Sequence, residues 1–493
     1  MRARSLHAGI FGATVLVAGR GALADDAPRF RADPTATLRY TDFTPPKNAL
    51  RTTLEEIGIL ALGMAQYTQT TGNSTDWDLD YTWDSFEQKL DGRAISLDTN
   101  RFDTNWVTHP FAGFMYYVAA RGNRFSIGES FLFAVAASTI WEYLGEFREQ
   151  ASINDLIVTP ATGLVFGEAV TQLGQYFAHG PPNAGNQILA WLFGTSNQIH
   201  DALDGVTPSR IPEDRGWHEF RLSLGGAYTR QSAFDHSYLD GTIGIESQLV
   251  HAPHYRSRGE FEGWLSDGNV SHLSFRTTVS EEQLVDARFD ATVDFAGYYA
   301  HHARSSIYVG TGSSFRYAYH DYDRSRGGSQ DRTAEIDLPG LTLDGSFEHG
   351  PLRVHVALTT SPAFASPTAL AAPDFRAEND PKRLGPVANE QGYYFAGGAI
   401  LAPQVEVQLG PIGARANLRL SAFRGIEGFQ REAVNAQVTL SDEETLFDAQ
   451  LFGRIGPVEI AATAARRVRN SRSDDLTRHY SESSYGLDAS LVF

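Results

Sequence analysis

The chain has 493 residues, 41 Lys+Arg against 59 Asp+Glu for a formal net charge of -18, and no cysteine. That balance excludes the basic surface a nucleic-acid binder needs, and the missing cysteines exclude disulfides. A hydrophobic fraction of 42% with a mean hydropathy of -0.28 is too low for a stack of membrane helices of about 20 apolar residues each, but suits a barrel with a polar inner face.

In chain order, the first element reads as a secretory signal peptide over residues 1–24. Arg2 and Arg4 precede an apolar run from Ala8 to Gly19, and Ala22-Leu23-Ala24 is a small-x-small cleavage site. Residues 25–48 are polar and Pro-containing and read as an extended arm. Residues 49–210 read as a helical domain. Leu50 to Gln66 and Ser126 to Phe147 carry helical apolar patterns; Asp155 to Phe177 carries another, with an interruption expected at Pro160. Asn186 to Asp204 reads as a further helix, set off by the breaker His179-Gly180-Pro181-Pro182. Residues 73–108 are rich in Asp and Trp and show no clear period.

From Gly216 onward the period becomes two. Val285, Ala287, Phe289, Ala291 and Val293 alternate with Asp286, Arg288, Asp290, Thr292 and Asp294. Ala414, Ala416, Leu418 and Leu420 alternate with Arg415, Asn417, Arg419 and Ser421. Charges on one face of strand after strand do not suit a dry sandwich core; they suit a hydrated lumen. Short turns at 349–351, 410–412 and 455–457 are expected on the periplasmic side, and long loops at 319–332, 363–390 and 470–479 outside. Parity flips across Ser441 to Thr445 and at Pro339-Gly340 read as bulges or extra turns. The fold class is therefore mainly β with an α-helical N-terminal block. It is a transmembrane antiparallel β-barrel of about 12 strands, with 14 possible, over residues 216–493. The helices are expected to plug or cap its periplasmic side or lumen.

The last strand fits the same picture. Tyr485, Leu487, Ala489, Leu491 and Phe493 share one face; Ser484, Gly486, Asp488 and Ser490 share the other. This pattern resembles the C-terminal signature of bacterial outer-membrane barrels. The resemblance implies export to the outer membrane, contact with its lipid, and Phe493 as a signal read by the barrel-assembly machinery.

The segment 104–177 sets polar residues in apolar surroundings: His109-Pro110 with Gly113, Ala120-Arg121, Ser130, Trp141-Glu142 with Gly145-Glu146, Ser152-Ile153-Asn154-Asp155, Thr159-Pro160, Gly163 and Gly167-Glu168. This combination resembles bacterial envelope proteins of domain-of-unknown-function family 3943, over about residues 80–178. The family implies no activity. Glu142 and Glu146 are four apart and share a helix face, and in apolar surroundings they need a cation, a donor or a proton. One reading makes His109, Glu142, Glu146 and Asp155 catalytic or ligating groups. The other makes them part of a structural network with Arg121, Ser130, Asn154 and Glu168, in which Arg121 bridges the two carboxylates. The second is preferred, because buried carboxylates commonly have structural partners and no compact metal motif is present. No metal and no cofactor are expected.

Function reads as a non-enzymatic outer-membrane barrel with a porin-like role in transport or envelope organisation. A membrane-embedded enzyme acting on lipid or lipopolysaccharide is an alternative, and so is a periplasmic docking or assembly factor. No Ser-His-Asn/Asp set on the strands supports the enzyme. Solute, partner and oligomeric state are not legible.

Overall fold

The computed structural model describes residues 46–71, 78–207, 216–231, 236–257, 259–280, 283–322, 330–431 and 438–493. The signal peptide and most of the arm lie outside the described residues, as does much of the loop 319–332. The strands are β1 Trp217–Gln231, β2 His236–Val250, β3 Phe261–Ser280, β4 Gln283–His302, β5 Ser305–Asp321 and β6 Gln330–His349. They continue as β7 Leu352–Pro367, β8 Ala396–Leu409, β9 Ile412–Gly425, β10 Leu440–Ile455, β11 Val458–Ser473 and β12 Leu476–Val492. Each pairs antiparallel with its sequence neighbour, and β12 closes on β1 through Tyr485↔Tyr228 and Leu491↔Leu222. The barrel has twelve strands, not fourteen.

Alternation fixes the two faces. Leu224, Ile243, Ile245, Leu451, Ile460 and Leu487 are exposed on the outer wall. Asp290, Arg316, Glu335 and Arg419 are gathered on the inner side, where Arg316 meets Asp290 at 3.7 Å and Glu335 at 3.8 Å. The parity flip at Pro339-Gly340 is a register shift between Asp337 and Leu341. Across Ser441 to Thr445 the strand runs unbroken against both β9 and β11, so no bulge interrupts it. The expected long loop 470–479 is a tight turn at Asp474-Asp475. Polar residues there continue the strands, with Ser473 paired to Leu476 across the turn.

Five longer helices form the block: α1 Ala49–Thr71, α3 His109–Gly122, α4 Ile127–Ile140, α5 Ile153–Ala178 and α6 Ala184–Asp204, with the short α2 Trp83–Leu90 between the first two. A capping box of Ser126 and Glu129 starts α4, Ser152 caps α5, and Gly205 in the left-handed region ends α6. A π-helical turn Trp141–Gly145 follows α4. Helix α5 runs through Pro160 without the expected interruption, held along its length by α3 and by the barrel.

The block packs on the outer wall, which corrects the expectation of a plug or cap. Ala291, Phe315, Ile336 and Phe364 are side-by-side partners on β4 to β7. They belong to the outward face, since Ile245 pairs with Phe275 and Phe275 with Phe289, two residues from Ala291. Against this row pack Phe102, Trp106, Val158 and Val165. Near the short-turn end, Leu173 and Tyr176 of α5 meet Leu249 of β2, with Phe220 of β1 alongside. An outward apolar row reads the same in sequence whether lipid or a helix covers it, so the pattern does not locate the block.

Within the bundle α1 and α4 run toward the loop end, and α3 and α5 run back. Asn48 and Asn123 meet at one end (N to O, 3.3 Å), and Tyr67 bonds Glu149 at the other. Gly113 and Gly163 let α3 and α5 touch backbone to backbone: a Cβ on Gly113 would strike the carbonyl of Thr159, and one on Gly163 the carbonyl of Gly113.

The lumen is crossed by ion pairs. Arg469 of β11 pairs with Asp442 of the adjacent β10, and also with Asp331 of β6, a strand separated from it around the ring, even by the shorter way, by β10, β9, β8 and β7. Arg467 joins Glu444 at 2.6 Å and Asp331 at 3.5 Å. His320 of β5 lies between Asp286 at 3.1 Å and Glu482 of β12 at 3.4 Å. Nearer the short turns, Arg221 and Arg415 converge on Glu459.

Candidate functional site

The loop-facing end of the bundle collects buried polar side chains from four segments. A two-residue parallel pair, Ile95–Ser96 with Ala151–Ser152, ties the lead-in of α3 to the start of α5. This pair sets Asp98 beside Asn154, whose Oδ1 accepts the Asp98 N–H at 3.0 Å. Asn154 Nδ2 donates to Asp155 Oδ1 at 2.9 Å. Asn105 Nδ2 donates to Asp98 Oδ1 at 2.8 Å and to the Tyr393 hydroxyl at 2.9 Å, while Tyr393 donates to the Asn100 carbonyl at 2.7 Å. The loop between β7 and β8 thus closes over the cluster. His109 Nε2 lies 3.5 Å from Asp155 Oδ2.

The Glu142 carboxylate accepts the Ser152 N–H at 2.8 Å through Oε2, and its Oε1 has no hydrogen-bond partner. Glu146 Oε1 accepts Trp141 Nε1–H at 3.0 Å. Lys89, fully buried on α2, donates to the Glu142 and Glu146 carbonyls at 2.6 and 2.8 Å. It adds a donor to carbonyls at the end of a wide helical turn, where the Glu146 carbonyl also accepts the Glu149 N–H at 3.0 Å. Burial lowers the Lys89 ammonium, and Glu142 and Glu146 oppose that shift. Burial first, then Glu149, raises the Glu146 carboxyl to about 8.

The sequence-predicted residues separate into two groups. His109, Asp155, Asn154, Glu142 and Glu146 stand together. Arg121 does not bridge Glu142 and Glu146, which corrects that expectation: it forks onto Glu168 at 2.7 and 3.0 Å. Tyr117 and Gln172 also donate to Glu168, at 2.7 and 3.1 Å. Helices α3 and α5 run side by side, so residues twelve positions past His109 face residues well past Asp155, near the opposite end. Ser130 is buried on α4 with its Oγ unpartnered. Phe493 exchanges both backbone hydrogen bonds with Phe220, at 2.7 and 3.0 Å, beside the Phe220 ring.

Lys89, Asp98, Asn105 and Tyr393 were not legible as site residues. They lie in segments without periodicity, and their roles are set by contacts with partners up to 288 positions away. The cluster offers unpartnered buried acceptors at Glu142 Oε1, Asp155 Oδ2 and Asn105 Oδ1. It can hold protons and donors. Among the described residues no three His, Asp or Glu side chains are arranged to hold a metal ion.

A family model described as "Domain of unknown function (DUF3943)" matches residues 94–194, the segment from the polar lead-in to the middle of α6. No curated protein matches the chain. Among solved structures, the translocator domain of autotransporter NalP from Neisseria meningitidis is similar at 9% identity, over 62% of this chain and 97% of that one, with a TM-score of 0.22. The β domain of the Bordetella autotransporter BrkA is similar at 10% identity, over 55% and 98%, with a TM-score of 0.20. The Pseudomonas putida toluene transporter TodX is similar at 7% identity, over 56% and 89%, with a TM-score of 0.19. At these scores the likenesses add nothing to the barrel read from strand pairing.

Proposed function

We propose that the protein is an integral barrel of the bacterial outer membrane. Its lumen is closed, and its role is envelope organisation: it holds a helical block against its outer wall. The single observation that carries this is the set of ion pairs spanning the lumen, in which Arg467 and Arg469 of β11 reach Asp331 of β6. A solute path would have to break buried, paired charges, and removing one partner of such a pair costs about 3–5 kcal/mol. A structural role for the polar cluster at His109, Glu142, Glu146 and Asp155 accords with this reading, since Glu142 holds the Ser152 N–H, His109 faces Asp155 from another helix, and Lys89 of α2 holds the Glu142 and Glu146 carbonyls.

Export by residues 1–24, division into a helical domain at 49–210 and a barrel at 216–493, and recognition of Phe493 by the assembly machinery belong to the same proposal. Planar-bilayer recording on the purified full chain tests it. The wild-type protein is expected to give no steady conductance, and the triple substitution R467A/R469A/D331A is expected to admit ions. A steady, open wild-type current rules the closed lumen out. Deleting Phe493 is expected to lower the assembled barrel in the membrane fraction; unchanged assembly removes Phe493 from the signal.

A further inference from the structure

The helices of the block are built inside out. On α1 the charged Arg51, Glu55 and Glu56 turn inward or are half-buried, while the exposed positions from 53 to 65 are Thr53, Leu54, Ile57, Gly58, Ala61, Leu62 and Ala65. On α4 and its π turn, Ser130, Ser138 and Glu142 are buried, and Gly128, Leu132, Ala136, Thr139, Ile140 and Leu144 are exposed. On α6, Asn197 and His200 are buried, and Ile188, Trp191, Leu192, Ile199 and Leu203 are exposed. Several of the inward charges are paired: Arg51 forks onto Asp204 at 2.9 and 3.0 Å, His200 meets Glu55 at 2.6 Å, and Arg124 meets Asp201, while the carboxyl of the buried Glu56 has no hydrogen-bond partner. A surface helix in water shows the reverse pattern, and an exposed apolar face this wide is a contact surface.

Two further observations name the occupant. The exposed run on α4, residues 128 to 144, covers about 25 Å at 1.5 Å per residue, which is about the height of the apolar band of an outer-membrane barrel. Among the described residues, α5 alone is long and apolar enough to cross a membrane, and it lies between the barrel wall and the other helices. The exposed helix faces therefore continue, around the circumference, the apolar band of Leu224, Ile245 and Leu487 on the bare part of the wall.

We propose that the outward face of α1, α4 and α6 is a lipid-contact surface, so that the barrel and the helical bundle sit side by side in one bilayer with acyl chains against both. This rests on the reading of the barrel as a membrane protein, and the test separates the two. Single cysteines are placed in the Cys-free chain at Leu54 and Leu132 of the block and at Leu224 and Leu487 of the barrel, and labelled with an environment-sensitive fluorophore. The full-length proteins are reconstituted in phosphatidylcholine vesicles with a fraction of acyl chains brominated. Quenching at all four positions to within about two-fold of one another is the expected result. Quenching at Leu224 and Leu487 with none at Leu54 and Leu132 overturns the inference and leaves the membrane barrel standing. If aqueous iodide quenches the two block positions instead, the block is in water; if neither quencher reaches them, a second copy or another protein covers it, and either outcome overturns the proposal. No quenching anywhere overturns the membrane reading itself. Should a label at Leu54 or Leu132 block assembly, judged by heat-modifiable migration, Ile57 and Ala136 on the same exposed faces replace it with the same expected quenching.

Discussion

At the scale of single residues, the two carboxylate centres of the bundle call for different behaviour. Glu168 is fully buried and satisfied by Arg121, Tyr117 and Gln172. Removing the cation in Arg121→Ala leaves a buried charge, and a loss of about 3–5 kcal/mol is expected for the block; a helical-domain melt shifted by less than about 1 kcal/mol would show that the pair is not essential. Glu142 accepts one hydrogen bond, from the Ser152 N–H, and burial first, then Glu146, holds its carboxyl well above the ordinary value. Glu142→Gln keeps an acceptor and is expected to be nearly neutral, whereas Glu142→Ala strands the N–H and costs about 1–3 kcal/mol. Equal destabilisation by both substitutions argues that the charge itself is used. Glu146 gives the pH dependence. Its folded carboxyl, at about 8, lies above the ordinary value of about 4.3, so folding favours the protonated form. The associated stability is complete below the ordinary value and is lost as pH rises through about 8. Helical-block unfolding followed by Trp fluorescence between pH 5 and 9 is expected to weaken with pH, and Glu146→Gln is expected to flatten that slope; an unaltered slope assigns the titration elsewhere.

At the scale of elements, the α3–α5 contact is the hinge of the block's architecture. Gly113 and Gly163 face each other with no room for a side chain, so Gly113→Val or Gly163→Val must push two helices apart or tilt α5 off the barrel wall. A loss of about 2 kcal/mol or more is expected, comparable with overpacking elsewhere, with the barrel retaining its heat-modifiable migration. Loss of barrel migration together with block melting would show that the two halves fold as one unit. The strands carried their own description: alternation of charged and apolar residues marked which face meets the lumen. Pro160 was misleading, because a proline interrupts an isolated helix but is tolerated where neighbouring helices and a wall hold the turn.

At the scale of the molecule, orientation is open to a direct check. Cysteines at the exposed Ala377 and Glu427, in the loops after β7 and β9, are expected to react with an impermeant maleimide on intact cells; labelling only after permeabilisation reverses the topology. The sequence by itself determined a barrel of about twelve strands, with fourteen still open, following a helical block, because a period of two with charges on one face admits a wet interior and little else; strand pairing fixed the number at twelve. It also marked His109, Glu142, Glu146, Asn154 and Asp155 as polar groups in apolar company, since burial without partners is costly enough to be noticed in a string of letters. Only the tertiary structure decided which partner each one has. Arg121 found Glu168 instead of Glu142 because helix direction sets the neighbours of a buried side chain. The block lies outside the barrel because an apolar strand face is satisfied equally by acyl chains or by helices, and residues scattered over the whole chain choose between them through packing that no local pattern records.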